Sequence, residues 1–152
     1  MKYKKTQKDN KEWWEKNPMS YEGWEWSGFK PIKCDENKHE FYDEIDKRFF
    51  YAAKHFANPN KKVPFSSLID FNSLKSKCVL EIGCGIGSHA ELFAKAHTNF
   101  TAIDITKNAV LRTKKRFELK NLKGKILQMD ATKICFPDNY FDFVWSWGVI
   151  HH

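Results

Sequence analysis

The chain has 152 residues, enough for one hydrophobic core and too few for two ordinary domains. It is 41% hydrophobic, with 13 Phe and 6 Trp, and this content excludes a disordered chain. The net charge of +7 lies between positions 107 and 125, where eight basic residues stand against one acid. Basic helices can bind nucleic acid, but no basic and aromatic residues interleave here, so we expect a solvated outer face and no nucleic-acid partner.

No apolar run approaches the roughly 20 residues of a membrane span, and no apolar signal core follows the lysine-rich N-terminus. The four cysteines are widely spaced and form no Cys-x-x-Cys pair, which indicates free thiols in a reducing compartment. We therefore expect a cytoplasmic protein with no membrane association and no metal site.

Residues 1–40 form a polar N-terminal arm with four closely spaced tryptophans, Trp13, Trp14, Trp24 and Trp26. Hydrophobic periodicity is weak there. Because large rings are seldom left in water, we expect the arm to fold over the rest of the protein or over a ligand cleft. The rings then serve either as structural packing or as a lid over substrate or cofactor.

Residues 41–152 are predicted to form the domain itself. Between 41 and 56 the apolar residues recur at helical spacing, with charged residues between them. This helix would precede the sheet and cover one of its faces. Asn58, Pro59 and Asn60 end it, and residues 61–77 form a connector.

A buried strand, a glycine-rich loop and a helix follow. Residues 78–82 are mostly branched and apolar, Gly83, Gly85 and Gly87 break the strand, and residues 88–97 have helical spacing. Such units bind nucleotide-like cofactors. The third glycine comes one residue earlier than in the dinucleotide fingerprint, and Glu81 would repel a pyrophosphate, so the loop favours a cofactor with positive charge.

Two further strands are each followed by an acid. Residues 99–104 end in Asp104, which either accepts hydrogen bonds from a ribose or caps the helix predicted over 106–121, a role for which Thr106 is equally suited. Residues 125–129 are a third strand, followed by Asp130. The carboxyl ends of parallel strands meet at one edge of a sheet, so these acids should lie near the glycine loop.

Residues 141–147 are predicted to form a fourth strand, running into Gly148, Val149, Ile150, His151 and His152. Two adjacent side chains on extended backbone point in opposite directions, so the histidine pair does not indicate a metal site. One of the two could orient a substrate.

The segment 81–87 resembles the acid-x-Gly-x-Gly-x-Gly motif of class I S-adenosylmethionine-dependent methyltransferases. Asp104, Asp130 and the strand 141–147 with its following His pair resemble later motifs of that family, and residues 13–21 are similar to the N-terminal lead of a bacterial subgroup. The Asn/Asp-Pro-Pro-aromatic motif of the DNA amino-methyltransferases is absent, which argues against the exocyclic amine of a base as acceptor.

The resemblance implies S-adenosylmethionine as the cofactor. The glycine loop would approach its methionine portion, Glu81 its ammonium, Asp104 its ribose, and Ile105 one face of its adenine. Asp130 and the Ala131 amide would read the adenine edge, and the fourth strand would lie near the methyl group. No general base is assigned. The implied cofactor-binding residues are Glu81, Gly83, Cys84, Gly85, Gly87, Asp104, Ile105, Asp130, Ala131, Ser146 and Trp147.

The family's fold is a Rossmann-like α/β sheet of seven strands, ordered 3-2-1-4-5-7-6. We expect this chain to supply the first four, ordered 3-2-1-4, as a partial methyltransferase domain truncated after strand 4. The exposed strand 4 would then reduce stability and favour self-association.

The predicted function is methyl transfer to an unidentified acceptor, by default a small molecule. Two alternatives stay open at this point. One is a fragment that binds S-adenosylmethionine without turnover, and the other is an NAD(P)-binding Rossmann oxidoreductase.

Overall fold

A computed structural model of the chain describes residues 2–18, 32–60 and 63–150, with no side-chain detail for residues 2–6. Trp24, Trp26, His151 and His152 lie outside the described residues, so the expectations for them stay predictions.

Four parallel strands form one sheet, ordered β3-β2-β1-β4. The strands are β1 (Cys78–Ile82), β2 (Asn99–Asp104), β3 (Lys125–Gln128) and β4 (Phe143–Ser146). In the register, Glu81 of β1 lies beside Ala102 of β2 and Trp145 of β4. The predicted Rossmann-like architecture and the 3-2-1-4 order are confirmed, with β3 one residue shorter than expected and β4 shorter at both ends.

The helices are α1 (Lys2–Lys16), α2 (His39–Ala52), α3 (Ser88–Lys95) and α4 (Lys107–Leu119), and a 3-10 turn, Lys54–Phe56, follows α2. Helix α1 was not predicted, because the hydrophobic periodicity of residues 1–40 is weak. Among its residues with described side chains, Gln7, Asn10 and Trp14 form a stripe that lines a cavity at the carboxyl edge of the sheet, while Trp13 on another face is 55% exposed. A helix that rests on so narrow a stripe leaves little hydrophobic pattern in its sequence.

The boundary between arm and domain at residue 40 stays a prediction. The first helix after the arm begins at His39, and it carries the apolar stripe predicted from the sequence. Its buried residues include Phe41, Ile45 and Phe49.

The main core lies between the sheet and the helices that cover it. Phe93 of α3 stacks on Phe100 of β2, and Phe100 stacks in turn on Phe117 of α4, with ring centroids 5.7 and 6.0 Å apart. These rings fix α3 and α4 to the sheet and so fix the loops at its carboxyl edge. Other buried members of this core are Phe49, Phe65, Ile69, Val79, Ala90, Ala102, Val110 and Ile126.

The basic helix α4 differs from the expected solvated face. Arg116 is fully buried and forms ion pairs with Asp46 of α2 and Glu91 of α3, and Lys120 reaches Glu91 and Asp43. Cationic side chains therefore turn inward to join three helices. The sequence pattern could not show this, because the acids that receive them lie far away along the chain.

No strand in the described ranges pairs with the outer side of β4, where Val144 is 51% exposed. Among the described residues, no helix has the length and apolar character needed to cross a membrane.

Candidate cofactor site

A cavity of about 770 Å³ opens at the carboxyl edge of the sheet. The loops that follow β1, β2, β3 and β4 form one part of its wall, and α1, α2, the 3-10 turn, the first turn of α3 and one face of α4 form the rest. From the loops, the lining residues are Ile82, Gly83, Cys84, Gly85, Ile86, Ile103, Asp104, Ile105, Thr106, Met129, Asp130, Ala131, Thr132, Trp147, Gly148, Val149 and Ile150.

The three glycines of the loop after β1 have different surroundings, although each has a positive φ. A β-carbon on Gly85 would meet no atom within 4 Å, so this residue leaves open space toward the cavity. A β-carbon on Gly83 would collide with Val149, and one on Gly87 would press on Thr113 of α4. Of these three glycines, Gly85 alone therefore has the free space that a bound cofactor needs.

The expectation that the cofactor approaches Gly87, as well as Gly83 and Gly85, stays a prediction. Gly87 does not line the cavity, and its lack of a side chain allows α4 to pack against the start of α3. Gly83 lines the cavity, and its missing side chain makes room for the loop after β4.

Asp104 ties the end of β2 to the glycine loop. Its Oδ2 accepts a hydrogen bond from the backbone N–H of Gly85 at 3.1 Å, and its Oδ1 accepts from the N–H and the hydroxyl of Thr106 at 2.9 and 2.8 Å. Thr106 is the N-cap of α4, since its hydroxyl accepts from the N–H of Ala109. Of the two alternatives for capping, the structure uses Thr106 and leaves Asp104 on the cavity wall.

Asp130 and Ala131 line the cavity beyond the end of β3, and Ile105 lines it beyond β2. The Oδ1 of Asp130 accepts from the N–H and the hydroxyl of Thr132, both at 2.8 Å. The backbone N–H of Thr132 lowers the pKa of Asp130, so this carboxylate is ionised at neutral pH. The structure thus brings Asp104, Ile105, Asp130 and Ala131 to one wall.

Glu81 lies beneath that wall and does not line the cavity. It is 2% exposed, and its Oε2 has no hydrogen-bond partner in the described part of the chain. Burial raises the pKa of Glu81 well above its usual value, and the nearby Asp104 raises it further. Its Oε1 is 3.7 Å from Nδ1 of His89. Contact between Glu81 and a cofactor stays a prediction. If such a contact forms, Oε2 is the carboxyl oxygen that lacks another hydrogen-bond partner.

Cys84 and Trp147 line the cavity, whereas Ser146 does not. Burial raises the pKa of the Cys84 thiol well above its usual value, and the Thr113 hydroxyl is 3.5 Å from its sulfur. Cys84 therefore contributes an uncharged group to the wall. The Oγ of Ser146 is buried without a hydrogen-bond partner among the described residues.

Several lining residues were not predicted. Phe49, Ala52 and Ala53 of α2, Phe56 of the 3-10 turn and His89 of α3 all reach the cavity. His89 directly follows the glycine loop, so its position in the first turn of the next helix was a usable signal. The α2 residues carried none, because their stripe is indistinguishable from ordinary core packing.

The N-terminal arm reaches the cavity through α1. Glu15 accepts hydrogen bonds from the backbone N–H groups of Lys107 and Asn108 at 2.9 and 3.1 Å, so its carboxylate sits at the N-terminus of α4. An acid at a helix N-terminus is favourable because it meets free N–H groups and the positive end of the dipole. The neighbouring Trp14 lines the cavity. The expectation that the arm folds over a cleft holds for this helix, while its role as a lid stays a prediction.

The residues present fit a cationic adenosyl cofactor. Gly85 leaves a space that any side chain would fill, and Asp104 and Asp130 place two acceptor groups on the same wall. Glu81 adds a buried oxygen that lacks a donor. A cofactor with hydroxyl and amino donors and a positive charge matches this set of groups, whereas a pyrophosphate would be repelled by the carboxylates of Asp104 and Asp130.

Comparison with known proteins supports the same assignment. Residues 79–152 match the family described as the methyltransferase domain. The chain is 38% identical over 69 residues to the 2-methyl-6-phytyl-1,4-hydroquinone methyltransferase of Synechocystis sp., a match covering 45% of this chain and 21% of that protein. It is 32% identical over 94 residues to a methyltransferase of Mycobacterium tuberculosis, covering 61% and 47%. The chain thus spans about half or less of the length of these relatives.

A solved structure described as an S-adenosyl-L-methionine-dependent methyltransferase from Methanococcus maripaludis shares the fold. Its TM-score is 0.53 at 24% identity, and the match covers 81% of this chain and 54% of that one. The fold, the family match and the motifs agree, and the resemblance seen in the sequence is confirmed. Residues 79–152 match the methyltransferase domain family, and the sheet of the described residues has the Rossmann-like strand order of class I methyltransferases.

Proposed function

We propose that this chain carries the cofactor-binding part of an enzyme that transfers a methyl group from S-adenosylmethionine to a small-molecule acceptor. When bound, S-adenosylmethionine supplies a methyl group on cationic sulfur, so that a bond forms from the acceptor to the methyl carbon, the carbon–sulfur bond breaks with its electrons going to sulfur, and the acceptor releases a proton. The residues of the chain bind and orient the two reactants.

One observation carries the proposal. Gly85 leaves open space toward the cavity. Asp104, whose carboxylate accepts a hydrogen bond from the Gly85 backbone, lies on the same wall as Asp130. Acceptor groups at the ends of two neighbouring strands suit the ribose and the adenine of one nucleoside. The two carboxylates beside the glycine loop also distinguish this site from a dinucleotide site, in which the loop must accommodate a pyrophosphate.

A small acceptor is favoured by the walls of the cavity. Helix α1 closes part of it, and its volume lies in the range of small-molecule sites. The inward turn of Arg116 and Lys120 leaves less positive charge on the outer face of α4 for a nucleic acid. The relative from Synechocystis is named for a hydroquinone acceptor, which is a small molecule with an aromatic ring.

The test is binding of S-adenosylhomocysteine, measured by calorimetry and by thermal unfolding, with NAD as the comparison ligand. At 100 times its Kd, S-adenosylhomocysteine should stabilise the protein by about 2.7 kcal/mol. Gly85→Asn should abolish this effect, because Asn tolerates the left-handed backbone while its side chain fills the open space. Stabilisation by NAD alone, or unchanged binding by the variant, would contradict the proposal.

We further propose a cytoplasmic location, supported by the four free cysteines, two of them on the surface. We also propose that the outer edge of β4 allows two copies of the chain to associate, because unpaired backbone groups there can pair with another strand. Sedimentation should show a concentration-dependent dimer that Val144→Lys weakens. A dimer of equal strength in this variant would contradict the second proposal.

A further inference from the structure

We propose that the part of the cavity formed by Phe49, Phe56, His89 and Trp147, here called the aromatic box, is the acceptor site and that it takes an uncharged aromatic ring. The proposal rests on the methyl-transfer function above and names the class of acceptor for it.

The four rings of the aromatic box form one connected cluster. The ring centroids of Phe56 and Trp147 are 5.2 Å apart with their planes at 76°, and those of Phe49 and His89 are 5.1 Å apart at 83°. The His89 and Trp147 centroids are 6.1 Å apart. All four residues line the cavity. The four residues therefore form a continuous aromatic part of the cavity wall, which another aromatic ring can contact edge to face.

Phe65 supports the aromatic box from behind and does not line the cavity itself. It is fully buried and lies within 6 Å of each ring of the box, at 5.7 Å from Phe49, 5.8 Å from Phe56, 4.5 Å from His89 and 5.1 Å from Trp147. A core residue in contact with every wall holds their spacing. The box is therefore a preformed slot, which favours a flat and rigid occupant.

The aromatic box carries no formal charge. Burial lowers the pKa of His89 to about 3, and the nearby Arg116 guanidinium also lowers it, so the imidazole is neutral at pH 7. The charged residues that line the cavity are Asp104, Asp130 and Arg112, all outside the box. The Arg112 guanidinium is bound to Glu36 at 2.6 Å. An anionic acceptor would lose its hydration in the box without gaining a partner of opposite charge.

The aromatic box contains one buried polar atom that lacks a partner among the described residues. Nε2 of His89 is buried and makes no hydrogen bond within the described ranges. A neutral imidazole can donate or accept, so a single hydroxyl on a bound ring would satisfy it. This atom favours a phenol or a hydroquinone over a plain hydrocarbon ring.

The test measures binding of three probes to the protein saturated with S-adenosylhomocysteine at pH 7: 2-naphthol, which is uncharged, 2-naphthoate, which is anionic, and cyclohexanol, which is not aromatic. We expect 2-naphthol to bind about tenfold more tightly than either of the others. Phe56→Ala should weaken the binding of 2-naphthol roughly 2- to 10-fold, which corresponds to the loss of one aromatic pair. The binding of S-adenosylhomocysteine should stay unchanged.

The matched control is Tyr140→Ala, which removes an exposed ring outside the cavity and should leave both ligands unaffected. Equal or tighter binding of 2-naphthoate or cyclohexanol, or an equal loss in Tyr140→Ala, would overturn the aromatic-acceptor proposal while leaving the cofactor site in place. Failure to bind S-adenosylhomocysteine would overturn the proposed function, and this inference with it.

Discussion

Two clusters of buried polar side chains flank helix α3, and they differ in how fully their atoms are paired. On one side, Ser88 and Glu91 of α3 meet Arg116 and Asp46, and Glu91 also accepts from Lys95. On the other side, His89 meets Glu81, where Nε2 and Oε2 have no partner among the residues described. Residues 88 and 91 share a helical face, whereas residue 89 points elsewhere.

The comparison separates groups that hold the fold from groups that remain available to a ligand. Buried charges normally find partners, and the cluster around Arg116 obeys that rule. The cluster around Glu81 breaks it at the edge of the cavity, where bound cofactor or acceptor can supply the missing hydrogen bonds. We therefore expect changes in the first cluster to alter stability and changes in the second to alter binding.

Arg116→Ala should cause the largest loss. Removing the guanidinium leaves Asp46 buried with only the Ser88 hydroxyl and takes a partner from Glu91, so the free energy of unfolding should fall by about 3–5 kcal/mol in urea titrations. Lys115→Ala, which breaks a pair with Glu118 on the same helix, is the control and should change it by less than about 0.5 kcal/mol. Similar losses in both variants would contradict the assigned role of Arg116.

Acidification should cause the next largest loss in the free energy of unfolding, through protonation of Glu91. Burial acts to raise the pKa of Glu91, but Arg116, Lys95 and Lys120 outweigh it and lower the pKa from 4.5 to about 2. A depressed folded-state pKa gives stability that is present above pH 4.5 and lost as pH falls toward 2, here about 3 kcal/mol. Burial raises the pKa of Asp46, so its protonation returns part of the loss.

Urea titrations between pH 2 and 6 measure how steeply the free energy of unfolding falls with pH. Glu91→Gln should flatten it, because the variant has no carboxylate to protonate at that position. An equally steep decline in Glu91→Gln would place the acid sensitivity elsewhere in the protein.

Glu81→Gln should separate binding from stability. The side chain keeps its shape and loses a carboxyl whose raised pKa shows that burial disfavours the charged form, so the free energy of unfolding should stay the same or increase. Affinity for S-adenosylhomocysteine should fall at least about tenfold, since a charge-assisted hydrogen bond to the ligand is lost. Calorimetry and urea titration on the same variant provide both values, and unchanged affinity would remove Glu81 from the binding site.

Thr106→Ala should have the smallest effect. Thr106 caps α4, the helix that carries Arg116, and it also donates to Asp104 on the cavity wall. Loss of the cap should lower the free energy of unfolding by about 1 kcal/mol, and Thr106→Ser should restore most of it. A larger loss in Thr106→Ser than in Thr106→Ala would show that the methyl group, and not the hydroxyl, matters at this position.

The fold and one wall of the site were predictable because their signals are local. Strand β1, the glycine loop and the acids after β2 and β3 lie at the ends of short apolar runs, and parallel strands bring such ends to one edge. The four strands and the placement of Asp104 and Asp130 at one edge therefore followed from the sequence, whereas the strand order was implied by the resemblance to class I methyltransferases. The contact between Gly87 and Thr113 was not predictable, because the two residues lie 26 positions apart in the chain.

The chain by itself determined a Rossmann-like sheet with a cofactor loop at its edge, since apolar runs, glycine spacing and strand-end acids are properties of neighbouring residues. Only the tertiary structure decided that Arg116 turns inward, that Glu81 and His89 retain unpaired atoms, and that Phe49, Phe56 and Trp147 face one cavity. Each of these depends on contacts between distant segments, and the energy of a buried charge or ring is fixed by what surrounds it in space.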